Sequence, residues 1–159
     1  MVEFTNTICE AVDEDFLTFE YCLLKSFNRT YKYLTIKVNL LQIPVTDIKV
    51  NMALYKRLST YKPYFYNVTV DCCKFLKNVK LYPIANYVYD FFKEFSNINH
   101  SCPYDHDLLV DKLTSAHFNH RFSNVQAFPL GDYMFNVNWI LHGHIRAKFR
   151  LYFTHKRIN

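Results

Sequence analysis

Residues 133–153, YMFNVNWILHGHIRAKFRLYF, alternate large apolar side chains with polar ones on both sides of a His-Gly pair. Such alternation is typical of half-buried strands, and His142-Gly143 would form the turn of a hairpin. One face of this hairpin carries aromatic and aliphatic side chains, and the other carries cations. One wall of a β-sandwich has this composition. The stretch therefore predicts a mainly β fold with two packed sheets.

The same period-two pattern occurs earlier in the chain. It predicts further strands with one apolar face, and extended structure that restarts at Leu108. The polar segment from Ser115 to Gln126 is assigned to an irregular strand or a mobile loop. The inward-facing positions of the predicted strands are Val2, Phe4, Ile8, Leu17, Phe19, Tyr21, Leu23, Leu34, Ile36, Val38, Leu40, Ile48, Val50, Met52, Leu54, Tyr64, Tyr66, Val68 and Val70.

One segment has helical periodicity instead. Apolar residues from Ile84 to Phe95 recur at spacings of three and four, and Pro83 suits a first helical turn. The sequence therefore predicts one helix, around residues 84–95, inserted into the sandwich. Its aromatic stripe either plugs the core or forms a lid over a cavity, with Phe91 and Phe95 at the mouth. We favour the lid.

Strand parity also addresses the five cysteines. Cys9 and Cys22 fall on the outer face of one predicted hairpin, where a cross-strand disulfide can form. Neighbouring side chains of an extended strand point to opposite faces, so Cys72 would point inward and Cys73 outward. We therefore expect Cys73 to pair with Cys102 and Cys72 to remain a buried thiol.

Three Asn-X-Ser/Thr triplets begin at Asn28, Asn67 and Asn99. Each falls in a predicted loop or on a polar strand face, where a glycan can be attached. Together with the expected disulfides, these triplets favour a secreted, extracellular glycoprotein. The chain itself shows no signal peptide and no apolar run of membrane-spanning length.

The motifs of several function classes are missing from the sequence. The net charge of +5 comes without a Lys/Arg block or a Gly-rich phosphate loop, so no nucleic-acid partner is expected. No nucleophile elbow, redox pair or zinc helix occurs, which argues against an enzyme, a metal site or a cofactor. Two sets of polar residues have a functional as well as a structural interpretation. We interpret the first set as loop residues rather than metal ligands: His100, Asp105, His106 and Asp107. The second set is either a solvated strand face or a docking strip for an acidic partner: Arg146, Lys148 and Arg150.

Five segments in combination resemble an insect family of small secreted proteins, long catalogued as a domain of unknown function and similar to the CheB-type chemosensory proteins. The segments are VEFTNTIC (2–9), NRTYKYL (28–34), YKPYFYNVTVDCCKFL (61–76), SNINHSCPYDHD (96–107) and PLGDYMF (129–135). The family is thought to be distantly related to the ML lipid-recognition superfamily, which includes the ganglioside activator protein.

The resemblance implies a single immunoglobulin-like, ML-like β-sandwich over residues 1–159 that holds a hydrophobic ligand between its sheets. It also implies the two disulfides, Cys9–Cys22 and Cys73–Cys102, with Cys72 as an addition. CheB-type members are implicated in taste or contact-pheromone sensing, beside an ion channel. The alternatives are a ligand-free accessory protein that modulates a receptor or channel, and a glycolipid-presenting activator.

We predict a ligand cavity lined by inward-facing strand residues and by the helix. Its lining residues are Ile36, Val38, Val50, Met52, Tyr64, Tyr66, Val68, Phe91, Phe95, Phe135, Val137, Trp139, Phe149 and Leu151.

Overall fold

The structure is a computed structural model that describes residues 1–28, 31–123 and 128–157, without the side chains of residues 65, 66 and 121–123. The described chain forms strands β1 (Val2–Ala11), β2 (Leu17–Ser26), β3 (Lys32–Leu40), β4 (Ile48–Arg57), β5 (Tyr61–Asp71), β6 (Leu108–Thr114), β7 (Gly131–Leu141) and β8 (His144–His155). Its helices are α1 (Cys72–Lys77), α2 (Pro83–Asp90) and α3 (Ser115–Ser123), with short 3₁₀ turns at Val79–Leu81 and Lys93–Phe95.

The strands form two antiparallel sheets. One has five strands in the order β1-β8-β7-β4-β5, and the other has three in the order β2-β3-β6. The main core cluster contains side chains from both sheets, including Phe4 and Leu151 from the first and Leu34 and Val38 from the second. The predicted two-sheet β-sandwich with an inserted helix is therefore confirmed.

The helical segment lies where the chain crosses from one sheet to the other. It leaves β5, the edge strand of the five-stranded sheet, and leads to β6, the edge strand of the three-stranded sheet. Three strands cannot cover a five-stranded sheet, so another element must bury its remaining apolar face. Helices α1 and α2 do this. Phe75 and Ala85 pack with Met52, Val70 and Val137 in a second core cluster.

The first disulfide joins the two sheets, and does not lie on the outer face of one hairpin as expected. Cys9 is on β1, Cys22 is on β2, and their Cα atoms are 6.2 Å apart. Register shifts between Phe4 and Asn6 and within β2 reverse the parity of both strands. Both sulfurs consequently turn inward, and Ile8 remains 43% exposed. The expected pairing is present, but its predicted location was wrong.

The second disulfide joins Cys73 to Cys102, with a Cα–Cα distance of 5.4 Å. The pairing agrees with the expectation, whereas the parity argument assumed strand where the structure has helix. Strand β5 ends at Asp71, whose carboxylate accepts a hydrogen bond from the Lys74 amide at 3.2 Å and caps α1. Successive helical side chains also point in different directions, and Cys72 is left as the free thiol.

Helix α2 is shorter than the predicted helix. It ends at Asp90, and the chain turns through a 3₁₀ segment before Ser96, which forms an isolated bridge with Val110. The helical periodicity of the sequence therefore continues five residues beyond the end of α2. Ile84, predicted on the apolar face, is 60% exposed. Residues Ser115–Ser123, predicted as a strand or loop, form α3, because Thr114 accepts a hydrogen bond from the His117 amide at 3.1 Å and caps it.

None of the helices in the described ranges combines the length and apolar character that a membrane crossing needs.

Candidate functional site

The candidate site is the seam between the two core clusters. Four half-buried side chains contact both clusters, namely Phe135 and Trp139 of β7, Phe149 of β8, and Leu76 of α1. Phe19 of β2 faces them from the other sheet, with its ring centroid 5.6 Å from that of Trp139. We call these five residues the seam. The five-stranded sheet, the three-stranded sheet and a helix therefore all contribute to it.

The seam aromatics keep more solvent exposure than their neighbours on the same inward face. Tyr133 and Ala147 are 0% exposed, Phe153 is 2% exposed, and Val137, between two seam aromatics on β7, is 8% exposed. Phe135, Trp139 and Phe149 on the same strands are only half-buried. Burial is therefore incomplete at these three aromatic positions, although their neighbours on the same face are buried.

The residues predicted to line a cavity belong mostly to the two clusters. The main cluster includes Ile36, Val38, Phe91 and Leu151, and Phe95 packs against it. The second cluster includes Met52 and Val137, and Val50 and Val68 pack against it. Both clusters are contacted by Phe135, Trp139 and Phe149. Tyr64 lies at the margin, 36% exposed, although its ring touches that of Tyr133 at 5.9 Å. The side chain of Tyr66 lies outside the described part of the structure.

Phe91 and Phe95 follow helix α2 and do not stand at an open mouth. Phe91 is 8% exposed, and its ring lies 4.5 Å from that of Phe118 on α3. Phe95 meets the imidazole of His117 edge to face at 4.7 Å. In this conformation the end of the helix fills the core. Any opening of the kind a lid makes therefore requires α2 to move away from α3.

Buried tyrosine hydroxyls near the helices have carbonyl partners, with one exception. Tyr89 donates to the Ile98 carbonyl at 2.7 Å, and Tyr133 donates to the Pro129 carbonyl at 2.6 Å. The hydroxyl of Tyr87 is buried and has no hydrogen-bond partner among the described residues. Burial raises the pKa of Tyr87 to about 12, so the group is a neutral hydroxyl at physiological pH.

Cys72 is a poor candidate for a reactive group. Burial, with a smaller contribution from the Asp71 carboxylate, raises the pKa of its thiol to about 12. The thiolate is the nucleophilic form of cysteine, and at neutral pH this thiol remains protonated.

The histidines of the 96–107 segment bind each other. The two Nε2 atoms of His100 and His106 are 2.7 Å apart, and the ring of His100 stacks on that of Tyr104 at 4.3 Å. Asp107 is turned away, with its carboxylate accepting a hydrogen bond from the Leu40 amide at 3.1 Å. No group of three or more metal-ligating side chains occurs among the described residues. The arrangement orders the loop that carries Cys102.

A concave surface lies on the outside of the sandwich. It is an open groove of about 230 Å³ on the outer face of the three-stranded sheet. Several of its apolar side chains, and Phe27 in the adjoining loop, are well exposed: Tyr21 is 46%, Leu23 39% and Phe27 71% exposed. Its lining residues are Tyr21, Leu23, Lys25, Tyr33, Thr35, Asp111 and Lys112.

The row Arg146, Lys148 and Arg150 is less available for docking than its sequence implies. The guanidinium of Arg146 donates to the Leu141 carbonyl at 3.0 Å, forms an ion pair with Asp13, and lies over the ring of Phe16. Arg150 donates to the Asn136 side chain at 3.2 Å. Arg146 therefore stabilises the ends of the sandwich rather than presenting a free charge.

The candidate glycosylation positions lie at the surface. Asn28, Asn67 and Asn99 are all exposed, with Asn67 on β5 and the other two in loops. Thr30, which completes the first triplet, lies outside the described residues. Attachment of glycans remains a prediction.

Some residues of the site were missed from the sequence. Phe118 and His117 lie in the segment predicted as an irregular strand or a mobile loop, although Thr114-Ser115 is a helix-capping signal. Leu76 is absent from the predicted lining residues, because the sequence pattern places Asp71 in a strand. In the structure Asp71 caps helix α1, which carries Leu76. Tyr87 was counted only as an apolar residue of the helical stripe, and nothing in the sequence marks its hydroxyl as lacking a partner.

Comparison with known proteins identifies a family. The chain has no significant match among curated proteins. Residues 50–135 match the family described as "Protein of unknown function (DUF1091)". The matched region runs from β4 through the helical segment into β7, and so includes Cys73, Cys102 and two of the five seam residues, Leu76 and Phe135. It is more than half of the 159 residues, and the chain therefore belongs to the DUF1091 family.

Proposed function

We propose that this protein is a secreted binder of a lipid or another small hydrophobic ligand, which it holds between its layers at the seam. The observation that carries the proposal is the incomplete burial of Phe135, Trp139 and Phe149. These side chains point inward from the five-stranded sheet and contact both core clusters, so on this proposal the ligand lies against the surface that they leave exposed. A site lined by aromatic and aliphatic groups suits an apolar molecule.

The resemblance to CheB-type proteins and to the ML lipid-recognition superfamily supports the same proposal. It also supplies the biological setting, chemosensory perception of a tastant or contact pheromone. Two disulfides are typical of an oxidising compartment, and the exposed Asn-X-Ser/Thr triplets suit a glycoprotein. An extracellular protein carrying a hydrophobic signal molecule accounts for all of these features.

The single tryptophan provides a direct test, because Trp139 belongs to the seam. We expect a long-chain ligand to shift its fluorescence emission to shorter wavelength and to displace an apolar fluorescent probe. Each buried methylene contributes about 0.8 kcal/mol, so two additional methylenes should strengthen binding about tenfold while the chain still fits. Titration with ligands of increasing chain length measures both effects.

A pair of variants on β8 serves as the control. Phe149→Ala removes a seam side chain and should weaken probe binding. Ile145→Ala removes an exposed side chain, 43% accessible, and should leave probe binding unchanged. Native mass spectrometry of the protein from insect cells would show any ligand already bound. Absence of probe uptake, of a Trp139 shift and of any co-purified lipid would refute the proposal.

A second candidate function is that of an accessory protein for a receptor or ion channel. The groove on the three-stranded sheet favours it, because exposed Tyr21, Leu23 and Phe27 form an apolar surface beside Lys25 and Lys112. Contiguous exposed apolar side chains with a charged margin are typical of protein interaction sites. On this hypothesis the outer face, and not the seam, is the functional surface.

We expect Leu23→Glu to reduce binding of labelled protein to chemosensory neurons about tenfold, if Leu23 is a central contact. Leu81→Glu is the matched control, since Leu81 is 69% exposed on the helical segment, remote from the groove in sequence. Apolar-probe binding should be the same in both variants. Equal cell binding by the two variants would argue against docking through this groove. Extraction of a glycolipid from liposomes at acidic pH would instead indicate a presenting activator.

A further inference from the structure

The buried hydroxyl of Tyr87 has no hydrogen-bond partner in the part of the chain that the structure describes, which is unusual for a native protein. Buried polar groups nearly always form a hydrogen bond, because leaving one unpaired sacrifices its interaction with water. Tyr89, two residues later on the same helix, meets this requirement through the Ile98 carbonyl. A phenylalanine at position 87 would retain the ring packing without the unpaired oxygen. A functional reason for the oxygen is therefore worth seeking.

The surroundings of Tyr87 define what could become its partner. Its side chain packs against the main core cluster, and its ring meets that of Phe91 edge to face at 5.0 Å. Burial alone accounts for the raised pKa of its hydroxyl, to about 12. The group is consequently a neutral hydrogen-bond donor in apolar surroundings.

A buried neutral hydroxyl group of this kind favours some classes of lipid over others as hydrogen-bond partners. A charged carboxylate would lose its hydration on entering an apolar interior, at a cost that one hydroxyl cannot offset. An alkane offers no acceptor. A neutral carbonyl oxygen accepts a hydrogen bond and loses little hydration, while the attached chain occupies the apolar space.

We propose that Tyr87 is a specificity-determining residue that donates a hydrogen bond to the carbonyl oxygen of a neutral long-chain ester, ketone or aldehyde bound between the layers. The inference rests on the proposed ligand-binding function and adds the chemical class of the ligand. Because the hydroxyl is enclosed in this structure, the carbonyl reaches it when α2 moves away from the core. The bond then satisfies a group for which residues 1–28, 31–123 and 128–157 provide no partner in this conformation.

The test compares a long-chain methyl ketone with the alkane of equal chain length, by displacement of an apolar probe from the disulfide-bonded protein. Tyr87→Phe removes only the hydroxyl, and Tyr89→Phe is the matched control on the same helix. The ratio of ketone affinity to alkane affinity should fall about tenfold in Tyr87→Phe, the usual effect of one hydrogen bond. It should be unchanged in Tyr89→Phe.

Two further measurements separate this role from a merely structural one. The infrared carbonyl band of the bound ketone should lie at lower frequency in the wild type than in Tyr87→Phe. In the absence of ligand, Tyr87→Phe should raise the denaturation midpoint, whereas Tyr89→Phe should lower it. If both ligands bind and the affinity ratio is the same in wild type and Tyr87→Phe, this inference is wrong and the binding function stands. If neither ligand nor probe binds the wild type, the proposed function fails and this inference fails with it.

Discussion

Replacement of Cys73 and Cys102 by serine is expected to lower the free energy of unfolding by about 3–4 kcal/mol. The bridge closes a loop of 29 residues in sequence separation. Without it the unfolded chain gains conformational entropy, by about this amount for a loop of this length. Urea unfolding of the oxidised wild type and of the double variant measures the difference.

Cys72→Ala is the matched control for this experiment. It changes the adjacent cysteine, which is partly buried and outside both bridges, and should cost less than about 1 kcal/mol. Hydrogen exchange adds a local measurement, because loss of the bridge frees the start of α1 from the 96–107 segment and should accelerate exchange of the α2 amides. Equal stability of the double variant and the wild type would mean that the bridge does not constrain the helical segment.

Phe91→Ala is expected to lower the free energy of unfolding by about 3–5 kcal/mol. Truncation of a buried aromatic side chain removes apolar contact and leaves a cavity. Phe91 is 8% exposed and contacts the rings of both Tyr87 and Phe118. Chemical denaturation monitored by circular dichroism is a suitable measurement.

Ile84→Ala on the same helix provides the comparison, because Ile84 is 60% exposed. A change within about 0.5 kcal/mol is expected for this exposed position. The two variants together also distinguish a plug from a lid. If Phe91→Ala costs less than about 1 kcal/mol, the end of α2 already stands away from the core in solution, as a lid that is open at rest would.

Period-two patterns predicted most of the sandwich because one face of each strand is buried. The hairpin of β7 and β8 followed its pattern except at Ile145, which is 43% exposed, and Leu34, Ile36, Val38 and Leu40 of β3 are all buried. The predicted inward and outward faces were wrong in parts of β1 and β2, because bulges shift the register there. A bulge adds one residue without a distinctive composition, so Thr5 and Glu20 gave no sign of it. The error moved Cys9 and Cys22 to the wrong face.

The helical segment shows a second limit. Periodicity from Ile84 to Phe95 indicated one helix, but the chain has to be extended by Ser96 to pair with Val110. That requirement is set by a residue fourteen positions away in sequence, which no local pattern contains. The seam was predictable as a set of inward aromatics. Their partial exposure depends on how three layers meet, which is a property of the assembled fold.

The two disulfides connect the layers of the sandwich covalently at one side and not at the other. Cys9–Cys22 joins β1 to β2, which are edge strands of the two sheets, so the layers are covalently fastened along that side. At the other side, the chain runs from β5 to β6 through the helical segment, where Cys73–Cys102 closes a loop. We therefore expect any separation of the layers to begin on the helical side. If the proposed ligand binds between the layers, it would enter from that side, with the disulfide-bonded side as the hinge.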